Sequence, residues 1–304
     1  MEGAIFMTIE RAIKEYLAEI EIRKYSPKTI RGYKGNLGRF LRYVQEELEL
    51  EEVDDIMPSH IKAYTKVLVD SGHKGTYVNG ILKNVKSFIQ YCYNEGYGGF
   101  NTYGRFKWVK EEKPVITVFE SADIKKMLSA CKGSEYLALR DKCIITMLFE
   151  TGIRCWELCC IRPEDIHEDF ILIANGKNHK QRVVPITPIL KKAMIRYEEC
   201  KDKHFKYKTI QEEYFLSFRA KKLTVEAVEH ILKTRGEGIE GVRVSPHTCR
   251  HFFAQQQVRM GTDVFTISRL LGHENVGITQ IYLRTLADKD LIQQAKSQSV
   301  LGSI

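Results

Sequence analysis

The sequence predicts a mainly α-helical protein with one small β-hairpin, built as a four-helix front domain followed by a larger mixed α/β domain. Three observations carry this prediction. Apolar residues recur at helical spacing through most of the chain. Two short runs, Phe170–Ile173 and Val183–Ile186, break that spacing and read as strands. A glycine-containing, charged stretch from Gly96 to Phe119 interrupts the helices and reads as a linker.

The front helices follow in order. Ile9, Ile13, Tyr16, Leu17 and Ile20 line one face of the first. Ser26-Pro27 opens the second, with proline at a position where its missing N–H costs nothing. Tyr33, Leu37, Phe40, Leu41 and Val44 form its inner face. Pro58-Ser59 opens the third, which stops near Ser71-Gly72, and the fourth runs from Tyr77 to Tyr93. The resulting division is 1–98 for the helical bundle, 99–118 for the linker and 119–304 for the second domain with its tail. Between the two strands, Asn175, Gly176 and Asn178 tolerate positive φ, so the connector 174–182 is expected to be a hairpin tip.

Composition narrows the function classes. The 304 residues are 43% hydrophobic and 28% charged, and no apolar run approaches the ~20 residues needed to span a bilayer. Met1–Glu10 has no basic segment ahead of a long apolar one and is not expected to be a secretory signal. Lys and Arg total 47 against 39 acidic residues, a net charge of +8 that favours a polyanionic partner. Of eight cysteines, Cys155, Cys159 and Cys160 share one short segment, while Cys92, Cys131, Cys143, Cys200 and Cys249 are scattered without a CxxC pair. Reduced thiols, a cytoplasmic setting and no metal site are expected.

Basic residues cluster on the front helices. Arg31, Lys34, Lys74 and Lys83 stand with Arg23, Lys24, Lys28, Arg39 and Lys86 on predicted exposed faces, interleaved with Tyr25, Tyr33 and Tyr77. That mixture suits contact with a phosphate backbone, although a solvated helix face has the same composition. Lys107 and Lys110 in the linker, and Lys180 and Arg182 on the hairpin, extend the candidate DNA surface.

Four segments carry polar chemistry. In Thr151-Gly152-Ile153-Arg154-Cys155-Trp156-Glu157, an apolar helix over Cys143–Phe149 stops at Gly152, and Arg154 starts a new short helix. An arginine beside free N–H groups there makes an anion site, with Glu157 one turn on to orient it; alone, the pair reads first as an ordinary structural ion pair. Lys177 sits on the hairpin tip. In Ser245-Pro246-His247-Thr248-Cys249-Arg250-His251, serine caps a helix whose first turn presents His247 and Arg250 on one face. His247 and His251 are also spaced for a metal, but no third ligand is evident. Finally, Thr262 is expected to cap a short helix ended by Gly272, which displays His273, and Tyr282 follows between Ile281 and Leu283. Alone, Tyr282 reads as a core tyrosine.

Taken in order, Arg154, Lys177, His247, Arg250, His273 and Tyr282, with Glu157 and the run Leu270-Leu271-Gly272-His273, resemble the tyrosine recombinase (phage integrase) family. The similarity covers Phe119 to about Leu291, and the front domain looks like the family's SAM-like core-binding domain by pattern. The hairpin departs from the family's usual Gly-Lys-Gly, reading Gly176-Lys177-Asn178. His273 stands where some members have tryptophan. The resemblance implies a site-specific recombinase that needs no cofactor. Tyr282 would be the nucleophile, Arg154 and Arg250 the phosphate ligands, His247 the base, Lys177 the acid and His273 a further hydrogen-bond donor. It also implies double-stranded DNA as partner, a homotetramer on two sites, and a place at the nucleoid. A tail after Tyr282, containing Ser299-Val300-Leu301, is expected to dock on a neighbour. No third, arm-binding domain is expected ahead of the helical one. The rivals are a type IB topoisomerase, which would relax plasmids without recombinant product, and a non-catalytic DNA-binding regulator.

Overall fold

The computed structural model describes residues 7–111, 117–174, 181–273, and 275, 277 and 279. It divides into two compact units, Met1–Pro114 and Val115–Ile304.

The first unit holds α1 (Ile9–Ile22), α2 (Pro27–Glu46), α3 (Pro58–Asp70) and α4 (Gly75–Asn94). α4 packs against each of the other three. Its buried face, Val78, Ile81, Leu82, Val85, Phe88 and Ile89, closes on Ile13 and Tyr16 of α1, Leu37, Phe40 and Val44 of α2, and Ile61, Tyr64 and Leu68 of α3. The Ser26 hydroxyl accepts from Thr29 N at the start of α2, as its sequence predicts.

α4 begins two residues before the expected Tyr77, and the reason is tertiary. Residues 109–111 run across its first turn. The Asn79 amide pairs with both backbone groups of Val109, each at 2.9 Å. A Cβ on Gly75 would lie 2.6 Å from Lys110 O, so glycine permits the crossing. Phe106 joins the apolar core, and Thr102 donates to Gln90 from both its N–H and its hydroxyl. The described part of the stretch expected to be linker, 99–111, therefore belongs to the first unit.

The second unit holds α5 (Ser121–Ala130), α6 (Tyr136–Thr151), α7 (Cys155–Cys159), the antiparallel pair β1 (Phe170–Ile173) and β2 (Arg182–Pro185), then α8 (Pro188–Phe205), α9 (Val225–Arg235), α10 (Pro246–Arg259) and α11 (Val264–Leu271). Strand pairing runs Phe170 with Pro185 through Ile173 with Arg182, one residue earlier on the second strand than its apolar run suggests. α6 is the centre. Cys143 to Phe149 are all buried there, and α5, α8, α9 and α10 pack around it. A helix apolar on all sides belongs inside. Asp141 on α6 is a buried carboxylate that accepts from Arg140 Nε and NH2 on one oxygen and from Arg235 Nε and NH2 on the other. No helix among the described residues is long and apolar enough to cross a membrane.

Candidate active site

The site is assembled where three chain reversals meet. The first closes α6. Gly152 has φ 60°, and a Cβ there would lie 2.5 Å from Phe253 Cδ1 and 2.9 Å from Leu271 Cδ2. Glycine thus serves both the left-handed cap and the close approach of α10 and α11. The turn delivers Arg154 to the N-cap of α7.

Sequence reasoning expects free N–H groups at that helix start. The structure fills the position instead: Glu157 Oε2 accepts from Arg154 N at 3.0 Å, and its Oε1 accepts from Arg154 NH1 at 2.8 Å. The anion at this helix start is the chain's own carboxylate. Burial alone would raise the Glu157 pKa, but Arg182 and then Arg154 hold it below its ordinary value.

The second reversal starts α10. Ser245 caps it, accepting from Thr248 N at 3.3 Å, with Pro246 in the first turn. His247 lies at an exposed position of that turn, and Arg250 points inward at 4% exposure. Arg250 donates through NH1 to Gly152 O and through NH2 to Leu271 O, both at 2.7 Å. It thereby ties the first reversal to the third.

The third reversal ends α11. Asp263, not Thr262, caps its start, accepting from Thr266 N at 2.9 Å, because the Thr262 hydroxyl is engaged by Gln257. Gly272 ends the helix at φ 66°. The last carbonyls of a helix lack intrahelical partners and carry its negative end. Here three arginines take three successive ones. Arg182 Nε donates to Leu270 O at 2.8 Å, Arg250 to Leu271 O at 2.7 Å and Arg154 NH2 to Gly272 O at 2.7 Å. His273 follows at once, its N–H donating to Ser268 O and its Nδ1 2.8 Å from Thr279 Oγ1.

The histidines are held neutral. Burial, then Arg250, Arg154 and Arg182, pull the His273 pKa down to about 4. Burial, then His247 and Arg250, bring His251 to about 4, and the two rings lie 4.2 Å apart. Partial burial and then Arg250 and Arg243 lower His247 as well.

Arg154, Glu157, Arg250 and His273 therefore form one cluster, with His247 one turn of helix from Arg250. Lys177, Lys180 and Tyr282 lie outside the described residues. Arg31, Lys34, Lys74, Lys83 and Lys107 are exposed on the first unit. Arg182, expected to face DNA, is turned inward with its side chain 9% exposed. Its NH1 and NH2 donate to the two oxygens of Glu157 at 2.9 and 2.6 Å. Strand alternation carries the signal for this: Arg182 shares a face with buried Val184, while Val183 between them is exposed. The carbonyl row at 270–272 has no such signal, whereas the i, i+4 spacing of His247 and His251 announces their ring contact.

Comparison with known proteins agrees on one family. Residues 117–289 match the Phage integrase family, and residues 13–96 match the Phage integrase, N-terminal SAM-like domain. Tyrosine recombinase XerD of Listeria monocytogenes is 28% identical over 278 residues, covering 90% of this chain and 93% of that one. A lambda integrase dimer bound to a COC′ core site shares the fold at TM-score 0.71 and 19% identity, over 91% of this chain and 95% of that one. A lambda integrase tetramer bound to a Holliday junction does so at 0.69 and 19%, over 91% and 77%.

Proposed function

Because this chain belongs to the phage integrase family and is a tyrosine recombinase, we propose that it cuts and rejoins double-stranded DNA at specific sites with Tyr282 as nucleophile. The observation that carries this reading is the convergence of Arg154, Arg250 and His273 on the two glycine turns at 152 and 272.

A phosphodiester resists attack because its anion repels nucleophiles, so a catalyst must neutralise it. The cluster sets three guanidiniums against one carboxylate, Arg154 and Arg182 bonded to Glu157 and Arg250 to main-chain carbonyls, leaving positive charge for a phosphate. Arg154 is the outward member, its side chain 32% exposed. Arg250 supplies the second fork, and two forks can hold both non-bridging oxygens of the pentacoordinate state. His273, neutral near pH 7 through its lowered pKa and with its Nδ1 2.8 Å from Thr279 Oγ1, is the third hydrogen-bonding group beside the two arginines.

Tyr282 attacks the phosphorus as phenolate. With an ordinary pKa near ~10, only about one tyrosine in a thousand is ionised at pH 7, so a base is needed. His247, neutral through its lowered pKa, takes that proton. Lys177 protonates the departing 5′-oxygen. The products are a 3′-phosphotyrosine and a 5′-hydroxyl, and the phosphoester energy is kept in the link, so rejoining requires no nucleotide cofactor or metal.

The first unit serves as the core-binding domain, with Arg31, Lys34, Lys74, Lys83 and Lys107 on backbone phosphates; Lys180 adds to them, and the second unit is the catalytic domain. A homotetramer on two DNA sites, working at the nucleoid in the cytoplasm, follows from this role. A nicked suicide substrate tests the reading: a covalent protein–DNA adduct that disappears in Tyr282→Phe is expected, and an adduct that persists in that variant would refute it.

A further inference from the structure

We propose that Arg182 is a positioning residue for Arg154, keeping that guanidinium directed at the phosphate by saturating Glu157. The proposal rests on the reading of Arg154 as a phosphate ligand.

A carboxylate offers about four acceptor sites. Glu157 has all four occupied: Oε1 accepts from Arg154 NH1 and Arg182 NH1, and Oε2 accepts from Arg154 N and Arg182 NH2. Arg182 supplies two of these donors. Glu157 is 1% exposed, so water cannot replace them. Arg154, by contrast, commits one NH1 hydrogen to Glu157 and one NH2 hydrogen to Gly272 O. Its Nε–H and one hydrogen on each terminal nitrogen make no further bond among the described residues, and these are the donors a phosphate would use.

Without Arg182, a buried carboxylate short of two donors has one cation within reach. It turns to pair with Arg154 through both oxygens, and the fork meant for phosphate is drawn back. Arg182 also has a mechanical reach. It opens β2, the strand that follows the Lys177 hairpin in sequence, and its Nε holds Leu270 O three residues before His273. One side chain thus fixes strand, carboxylate and turn against each other. Arg182 touches no reacting atom in this scheme and acts through Glu157.

A double-mutant cycle on the suicide substrate tests this with wild type, Arg182→Met, Glu157→Gln and the double variant. Single-turnover adduct formation is measured per folded molecule, with the folded fraction from circular dichroism and DNA binding from filter retention. Arg182→Met is expected to bind DNA normally and to form adduct about 100-fold more slowly, as when a preorganised donor is lost. The double variant is expected to match Glu157→Gln within about threefold, since without the carboxylate nothing captures Arg154. Should Arg182→Met be too unstable to assay, that second comparison alone decides. Wild-type rates in Arg182→Met would overturn the proposal. So would a double variant as far below Glu157→Gln as Arg182→Met is below wild type. Tyr282→Phe and Arg154→Ala accompany the cycle. If both abolish the adduct while Arg182→Met does not slow it, only the positioning role fails; if either still forms it at the wild-type rate, the site reading fails and takes the proposal with it.

Discussion

Replacing Gly272 by alanine separates backbone strain from side-chain collision, because the second unit contains its own control. Gly272 has φ +66°, and a Cβ there would meet Arg182 Cδ at 3.0 Å, NH1 at 3.1 Å and Nε at 3.2 Å. Gly241 has φ +74°, and a Cβ there meets nothing within 4 Å. Alanine in the left-handed region costs about 1–2 kcal/mol at either position. Arg182 is an arginine whose nitrogens are all engaged, so it cannot swing aside without losing a bond to Glu157 or Leu270 O. A lost charge-assisted hydrogen bond adds about 1.5–3 kcal/mol. Gly272→Ala should therefore unfold at lower urea than Gly241→Ala, by about that margin. Its melting temperature should drop further by roughly 3–12 °C, at about 2–4 °C per kcal/mol for a domain of this size. Thermal and urea denaturation followed by far-ultraviolet dichroism reads both. Equal losses in the two variants would show that Arg182 yields freely, and the reasoning about a rigid cluster would be wrong.

Acid should weaken the second unit in a window set by its histidines. His273 and His251 have folded pKa values lowered to about 4 against 6.5 in the unfolded chain, so the unfolded state binds protons first. The stability they contribute is complete above pH 6.5 and lost as pH falls towards 4. Urea midpoints at pH 7 and pH 5 should differ less in a His251→Gln, His273→Gln double variant than in wild type, and an unchanged difference would remove the histidines as the cause. Asp141→Asn should cost about 3–5 kcal/mol, since it leaves Arg140 and Arg235 sharing a buried neutral amide; a melting temperature within 2 °C of wild type, less than about 1 kcal/mol, would count against that ion triad.

Local chemistry made some of this legible in the sequence and hid the rest. Ser26-Pro27 announces α2 because cap and first turn are adjacent residues. The start of α4 is not announced, since it depends on Asn79 gripping Val109 thirty residues away. Thr262 and Asp263 are both good helix caps, and only the Gln257 contact leaves the role to Asp263. At the site, the cations themselves could be named from their order along the chain. What they hold could not, because Arg250 reaches Gly152 across 98 residues and Arg154 reaches Gly272 across 118, and neither bond involves the partner's side chain. Arg182 turns on a related point: a basic residue beside a hairpin tip suggests a surface, while its strand parity with Val184 turns it inward.

That carbonyl row has a consequence for how the protein can vary. The three guanidiniums sense the course of the main chain at 270–272, and the letters written there matter to them only through shape. In a saturation library, position 270 should therefore accept other helix-forming apolar residues with little loss of cleavage, whereas position 272 should accept almost nothing. Two positions only two residues apart would then differ sharply in tolerance, though both give the same kind of atom to the same cluster.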